Sequence, residues 1–284
     1  MRLADQLTRK ARKMNLDLIN KVTYNKGAKI NFIGTSGSGA TTMALATEYN
    51  LRNSGKCLLV DTDGRHDGLG AYLKVYTMEY AGIGSILDKL QAGVEWKTHI
   101  GKSIASVRCP HLSLTKGMHE AVLNTTNRED LGRFIKDLLD IYIIKYNYVI
   151  SDSGFLSTPS KLDLTSKVTL NVIVCETSKK SLDILNQYRS KVRQKVQHEL
   201  QSNTLVVLNK VTDNHNFVVA SENLVAAGWD VLDGPIKLSR TIADSDSIGS
   251  NFMYHRESTA KMIGKDNPFK EVGQIAQYIL DQVT

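Results

Sequence analysis

The sequence has few of the residues that mark disulfide scaffolds, disordered chains or membrane spans. Its 284 residues include only 3 Cys and 4 Pro. Cys57, Cys109 and Cys175 follow no metal or redox spacing and cannot all pair, so we interpret them as small buried hydrophobes in a reducing compartment. Hydrophobic residues make up 42% of the chain and charged residues 23%. This composition is that of an ordinary globular protein.

The sequence also lacks an apolar run long enough to cross a membrane. The longest candidate, residues 138–150, contains Asp140, Lys145 and Asn147, whereas a span needs about 18 residues nearly free of charge. Residues 1–20 are basic but hold no continuous apolar segment and no small-residue cleavage site, so a secretory signal is not expected. These absences predict a cytoplasmic protein.

Positive charge is concentrated in two segments. The net charge is +7, and residues 1–26 hold seven basic residues against two acidic ones, a net charge of +5. The second group lies between residues 177 and 198, where one acid, Asp183, faces six basic residues: Lys179, Lys180, Arg189, Lys191, Arg193 and Lys195. Either segment can attract DNA, an acidic membrane surface or an acidic protein partner.

Residues 1–26 are predicted to form a basic amphipathic helix ahead of the main domain. Apolar residues recur at helical spacing and form one stripe: Leu3, Leu7, Met14, Leu18 and Val22. Such a helix can dock on a partner or lie on a membrane surface. We therefore divide the chain into this helix and one main domain at 27–284.

From residue 28 onward, short apolar runs alternate with amphipathic segments, which predicts parallel strands joined by crossover helices. Gly55 is expected to end the first helix through a positive φ. The predicted strands are 29–33, 57–61, 111–115, 148–151, 169–174, 204–208 and 230–232, and the predicted helices are 41–53, 83–91, 128–146, 179–200, 215–227 and 268–282. The expected fold is α/β, with a doubly wound, mostly parallel sheet and helices on both faces.

A run of small residues joins the first predicted strand to the first predicted helix. Its members are Gly34, Thr35, Ser36, Gly37, Ser38, Gly39, Ala40, Thr41 and Thr42. Small residues let the backbone curl around phosphate oxygens, and the helix N-terminus adds a favourable dipole. Thr41 stands where a hydroxyl would ligate Mg²⁺, but Ala40 occupies the lysine position of the pattern G-x-x-x-x-G-K-[ST]. The run predicts a phosphate-binding loop without its lysine.

Two apolar strands are predicted to end in acidic residues. Asp61 and Asp63 follow one strand, and Asp152 follows another. Because the carboxyl ends of strands in a doubly wound sheet line one crevice, these acids should converge on the glycine-rich loop. Asp61 and Asp152 could hold magnesium together with Thr41, partly through water, and could orient an attacking water.

The order of the glycine-rich turn, LLVDTDG, KYNYVISD and VVLNK resembles the ParA/MinD group of deviant P-loop ATPases over most of the chain. The resemblance implies a P-loop NTPase fold, bound ATP and Mg²⁺, and a homodimer that encloses the nucleotides. By position, Asp61 and Asp63 would serve the switch I region, with Asp63 a vestigial catalytic residue. Asp152 would be the Walker B acid, and Asn209 would contact adenine. Thr35 stands where the group's signature lysine would reach across the dimer.

The TadZ/CpaE-like pilus-assembly proteins, one branch of that group, show a similar departure at the loop lysine. Their second strand continues with a pattern that the residues here resemble: Asp61, Asp63, Gly68, Gly70 and Leu73. Such proteins often carry a receiver-like N-terminal domain, in whose place this chain has the basic helix. The resemblance implies a role at a pilus or secretion apparatus.

Three functions remain open at this point. The first is an atypical ATP-binding protein with little or no hydrolysis, which acts as a localisation or scaffold factor for a pilus or secretion apparatus. Loss of the loop lysine favours it, because that charge holds the outer phosphates and offsets charge in phosphoryl transfer. The second is a plasmid or chromosome partition protein that binds DNA non-specifically. The third is a degenerate interaction module that binds no nucleotide. A peripheral place at the inner face of the membrane is compatible with the basic segments.

Overall fold

The computed structural model describes residues 27–62, 68–73, 82, 86, 105–106, 110–113, 137–155, 168–195, 203–237 and 268–283. Its strands are β1 (Ala28–Gly34), β2 (Cys57–Asp61), β3 (Ala105–Ser106), β4 (Pro110–Ser113), β5 (Tyr148–Phe155), β6 (Leu170–Cys175), β7 (Thr204–Leu208) and β8 (Asp230–Val231). Its helices are α1 (Ala40–Leu51), α2 (Gly68–Leu73), α3 (Lys179–Lys195), α4 (Asn214–Ala226) and α5 (Pro268–Val283). Residues 137–142 are also helical.

All eight strands join one sheet in the order β3-β4-β2-β5-β1-β6-β7-β8. Every neighbouring pair is parallel except β3 with β4, which is antiparallel. The strands from β2 to β5 lie on one side of β1. The chain then crosses over, and β6, β7 and β8 lie on the other side. Such a reversal of strand order opens a crevice at the carboxyl ends of the strands. The doubly wound α/β fold expected from the sequence is confirmed.

The structure places a strand at each of the seven predicted positions, with the predicted limits for β2 and β7 and different limits for the other five. β5 continues to Phe155 instead of ending at residue 151, so Asp152 lies inside a strand. β3 and α2 were not predicted, since β3 has two residues and α2 opens with the glycine-rich sequence GLGAYL. The N-terminal segment 1–26 and most of the predicted helix 83–91 lie outside the described residues.

Two apolar layers cover opposite faces of the sheet. Phe32 of β1 belongs to the layer that includes buried residues of α1 and α5, whereas the next residue, Ile33, packs with side chains of α3 and α4. Successive strand residues point to opposite faces, so this assignment follows from the strand period of two. A parallel sheet covered on both sides explains why strands such as β2 and β7 are buried along their whole length.

Helix α1, which begins at the glycine-rich turn, is buried on nearly all sides between the sheet and α5. The expectation that Gly55 ends this helix through a positive φ was wrong. The helix ends at Leu51, and Gly55 is not among the positive-φ glycines. A Cβ at Gly55 would instead lie 2.7 Å from the Cβ of Asn147, so close approach explains the glycine.

A row of buried polar side chains crosses the centre of the sheet. Asn31 Nδ2 donates to Asn171 Oδ1 at 3.2 Å, and Asn31 Oδ1 accepts from Ser151 Oγ at 3.0 Å and from Ser153 Oγ at 2.5 Å. The Thr62 hydroxyl, just past β2, lies 3.0 Å from Ser153 Oγ. These bonds link β6, β1 and β5 to the end of β2, and they satisfy polar groups that would otherwise be costly to bury.

Within the part of the chain that the structure describes, no helix combines the length and apolar character that a membrane crossing requires.

Asn31→Ala should lower the free energy of unfolding by about 2–4 kcal/mol, because it removes a shared partner of three buried side chains. Urea unfolding measures this change. Asn186→Ala provides the matched control, since Asn186 is exposed on α3 and should change stability by less than about 0.5 kcal/mol. Equal effects of the two substitutions would mean that the polar row contributes nothing.

Candidate functional site

The turn between β1 and α1 has the backbone conformation of an anion-binding loop. Gly37 and Gly39 have φ values of 75° and 89°, on either side of Ser38. The turn is closed by the Ser38 amide, which donates to the Thr35 carbonyl at 3.0 Å, and by the Thr35 amide, which donates to the Val174 carbonyl at 3.1 Å. Left-handed residues at a helix N-terminus create concave backbone surfaces that attract anions.

The middle of this turn contains a buried hydroxyl without a protein partner. Ser38 is 1% exposed, and its Oγ makes no hydrogen bond to the residues that the structure describes. The hydroxyl lies against Gly34, where an added Cβ would come within 2.4 Å of Ser38 Oγ, so position 34 leaves no room for a side chain. Ser36 and Gly37, in contrast, are exposed. The turn therefore combines an open rim with an unsatisfied polar interior.

Residues after β7 brace the turn from the side. Asn209 Nδ2 donates to the Ser38 carbonyl at 2.7 Å, and the Lys210 ammonium donates to the Gly37 carbonyl at 2.5 Å. The Asn209 amide donates to the Cys175 carbonyl at 2.8 Å, which ties this segment to the end of β6. The contact of Asn209 with adenine, implied by the resemblance, stays a prediction, whereas its bond to the loop is observed.

Thr35, at the signature-lysine position, is turned into the protein. It is 5% exposed, and its hydroxyl is hydrogen-bonded to the hydroxyl of Ser181 in the first turn of α3. Ser181 Oγ also accepts a hydrogen bond from the Glu176 amide at 3.1 Å. The glycine-rich turn is thus linked directly to the helix that carries the second basic segment.

The three predicted metal-binding residues converge beside the turn. Thr41 Oγ1 donates to Asp152 Oδ2 at 2.6 Å, and Asp61 is paired with Asp152 in the register of β2 and β5. A Cβ at Gly68 would lie 3.6 Å from Thr41 Oγ1 and 3.9 Å from Asp61 Oδ2. One hydroxyl and two carboxylates therefore face the same corner of the crevice.

Both carboxylates are also held by backbone amides. Asp61 Oδ2 accepts from the Leu69 amide at 3.0 Å, and Asp152 Oδ1 accepts from the Gly154 amide at 3.1 Å. These bonds fix the two side chains at the start of α2 and within β5. Asp63, the predicted catalytic residue, lies outside the described residues.

The donor set fits a magnesium ion that shares its coordination with a ligand. Hydroxyl and carboxylate oxygens suit Mg²⁺, which is usually bound by one or two carboxylates together with phosphates and water. Among the described residues, no group of three or more His, Cys, Asp or Glu side chains could hold a metal by itself. A metal at Thr41, Asp61 and Asp152 would need oxygens from a bound phosphate group.

The cysteine beside this site is chemically inert. Cys175 ends β6 next to the bracing residues and is fully buried. Burial, and to a lesser degree the neighbouring Glu176 carboxylate, raises the pKa of Cys175 to about 12. The thiol therefore stays protonated at neutral pH and is unsuited to act as a nucleophile.

Three residues contribute to the site without a signal in the sequence that predicts their role. Ser181 gave no signal, since a serine in the first turn of a helix is ordinary. Lys210 follows Asn209 in the VVLNK run, but nothing in that run indicates that its ammonium reaches the glycine-rich turn. The Leu69 amide belongs to α2, a helix that the pattern did not predict.

The fold is similar to that of solved ATPases. A ParA family ATPase from Chlorobium tepidum TLS has a TM-score of 0.66 and 17% identity, over 88% of this chain and 98% of that chain. A putative plasmid partition protein from Borrelia burgdorferi B31, solved with AMPPNP, has a TM-score of 0.66 and 17% identity, over 90% and 99%. The septum site-determining protein MinD from Pyrococcus horikoshii OT3, complexed with Mg-ADP, has 0.63 and 15%, over 89% and 96%.

The described architecture is that of the ParA/MinD P-loop NTPases, and similarity at this level of identity shows the fold. No protein-family model matches the sequence, and no curated protein matches it.

Two glycines of the turn should differ in their tolerance of a side chain. Gly37→Ala adds only the strain of a positive φ, since a Cβ there meets nothing within 4 Å, whereas at Gly39 it would lie 2.8 Å from Asn209 Nδ2. Gly39→Ala should therefore destabilise the fold by about 1–2 kcal/mol more than Gly37→Ala. Urea unfolding of both variants tests this, and equal losses would mean that Asn209 does not brace the turn.

Proposed function

We propose that this chain binds ATP with Mg²⁺ at the turn formed by residues 34–42. The observation that carries this proposal is the 2.6 Å bond between Thr41 Oγ1 and Asp152 Oδ2 at the end of a turn with two left-handed glycines. It joins the hydroxyl and the acid that a magnesium-dependent phosphate site requires. The structural neighbours solved with AMPPNP and Mg-ADP support the same ligand class.

The residues of this chain divide the work of binding. Backbone amides of the turn and the first turn of α1 donate to phosphate oxygens, and the helix dipole favours their negative charge. Thr41, Asp61 and Asp152 hold the metal side of the ligand, with their positions fixed by the backbone bonds described above. Magnesium, when bound, neutralises part of the phosphate charge. Asn209 keeps the turn in shape through the Ser38 carbonyl.

We propose that hydrolysis is slow or absent. Position 40 is an alanine that is 8% exposed, and position 35 is a threonine bonded to Ser181. Neither supplies a cation to the charge that develops on the transferred phosphoryl group, and such a cation is a large part of catalysis in these folds. Binding relies on the backbone and metal contacts, which do not need it.

A homodimer that encloses the nucleotides is part of the proposal. The nucleotide should contribute little to the stability of this dimer. The fold neighbours include a MinC:MinD complex, which supports protein partners in general. The Thr35 side chain is engaged inside its own chain. A threonine is also short and uncharged, so position 35 offers no cationic group to the nucleotide of a second subunit. Dimerisation should therefore depend only weakly on ATP.

The biological role we propose is that of a localisation or scaffold factor for a pilus or secretion apparatus. A protein that binds ATP without efficient turnover can mark a position stably, because it has no hydrolysis cycle that returns it to the free state. The absence of a lysine at position 40, which resembles the loop of the pilus-assembly branch, favours this role.

DNA partition is the second candidate, favoured by the basic start of α3. Lys179 and Lys180 are exposed there, and α3 is bonded to the glycine-rich turn through Ser181. Nucleotide at the turn could therefore influence a phosphate-binding surface. The third candidate, a degenerate module, lacks such an observation, because the site residues remain assembled.

Binding should be tested by calorimetry on the full chain with MgATP. Thr41→Val should weaken binding about tenfold and abolish its dependence on magnesium, because it removes the metal-facing hydroxyl.

Ala40→Lys should strengthen binding about tenfold by restoring the missing charge. Phosphate release should stay far below the roughly 1 s⁻¹ lower end of ordinary enzymes. A wild-type chain that takes up no MgATP would reject the proposal and favour the degenerate module.

The partition candidate is tested by duplex DNA binding at several salt concentrations. If DNA binds at α3, replacing Lys179 and Lys180 by Glu should weaken binding and lower the slope of log affinity against log salt by about two. Lys56→Glu with Lys237→Glu makes the same change in net charge elsewhere and serves as the control. No measurable duplex binding by the wild type would reject this candidate.

A further inference from the structure

Lys210 adopts a backbone conformation that non-glycine residues rarely adopt. Its φ is 57°. Among the described residues, it is the one residue other than glycine with a positive φ. The chain on either side is fixed: the Asn209 amide donates to the Cys175 carbonyl, and the Val211 amide donates to the Ile236 carbonyl at 3.0 Å. Strain that is held in place by its surroundings is a frequent sign of a functional constraint.

This conformation directs the lysine side chain to the glycine-rich turn. The ammonium donates to the Gly37 carbonyl at 2.5 Å, and Glu176 Oε1 lies 3.6 Å from the ammonium nitrogen. The side chains of Lys210 and Glu176 are 40% and 36% exposed. The ammonium is therefore accessible to solvent and to a ligand, and its ion pair is of the kind that contributes little stability.

Neither of the two lysine positions of the turn, 35 and 40, carries a side-chain cation. Ala40 and Thr35 are uncharged, while Asp61 and Asp152 place carboxylates beside Thr41. A site that binds several phosphate charges needs compensating positive charge. A cation hydrogen-bonded to a carbonyl of the turn attracts such a ligand from a distance of one peptide group.

We propose that Lys210 supplies the positive charge that the turn lacks at positions 35 and 40, acting through the Gly37 carbonyl, and so favours ligands that carry a polyphosphate chain. It is a positioning and specificity-determining residue, and the inference rests on the proposed nucleotide site. Glu176 moderates the effect, because its carboxylate lies 3.6 Å from the same ammonium and offsets part of its charge. The alternative, that Lys210 serves the nucleoside end of the ligand, is an outcome of the test.

The test compares MgATP, MgADP and AMP binding by calorimetry on the full-length wild type and on variants. Lys210→Gly removes the ammonium and relieves the positive φ, so the fold should be as stable as the wild type or more so. It should weaken ATP and ADP binding about tenfold, with less than about a twofold effect on AMP. Lys210→Arg keeps the charge and should stay within about threefold of the wild type for all three ligands.

Two further variants separate this role from general effects of charge. Lys56→Gln removes one exposed lysine at the opposite end of the sheet, before β2, and should leave all three affinities unchanged. Glu176→Gln removes the neighbouring carboxylate and should strengthen ATP binding about threefold. Thermal unfolding without nucleotide is recorded for every variant.

Each contrary outcome has a distinct meaning. If the wild type binds ATP and Lys210→Gly binds it equally well, this inference fails and the proposed function stands. If Lys210→Gly weakens ATP, ADP and AMP equally, Lys210 serves the nucleoside end or only the structure, and a lower unfolding temperature identifies the structural case. If the wild type binds no MgATP, the proposed function fails and this inference falls with it.

Discussion

The pairing of β1 with parallel neighbours on both sides is the constraint from which the site follows. Since β5 and β6 lie against β1 on its two sides, the chain that leaves β1 must turn toward α1 in the space between Val174 and the residues that follow β7. Glycine at positions 37 and 39 makes that turn feasible, because both residues adopt a left-handed conformation. The pairing of β5 with β2 on its other side puts Asp152 next to Asp61, so the acids reach the turn without any further loop.

Burial explains how this turn keeps its shape. Helix α1 starts at the turn and is enclosed by the sheet and α5, while Asn31 links β6, β1 and β5 by hydrogen bonds below it. Both ends of the turn are therefore attached to rigid structure. Binding sites built on such supports lose little conformational entropy when a ligand arrives, because the loop is already ordered. The contacts of Asn209 and Ser181 add two side supports.

Much of this architecture could be predicted from the sequence, since periodicity records burial. Strands such as β2 and β7 are continuous apolar runs, and their limits agree with the structure. The convergence of Thr41, Asp61 and Asp152 followed from the rule that strand ends share one edge. What the sequence could not show depends on tertiary placement: the extension of β5 past Asp152, the bond from Thr35 to Ser181, and the reach of Lys210. None of these contacts leaves a local pattern.

The position of a cation decides what a phosphate site can do, and in the site proposed here Lys210 takes the place of a lysine on the turn. A lysine on the turn itself can follow the outer phosphate as charge develops during transfer, because its flexible chain ends at the reacting group. The Lys210 ammonium is instead hydrogen-bonded to a backbone carbonyl of the turn. Such a charge attracts the ground state and the transition state almost equally, and uniform attraction of this kind gives affinity without acceleration. The two proposals together predict that binding and turnover are separable in this chain, which would then hold a nucleotide as a structural signal.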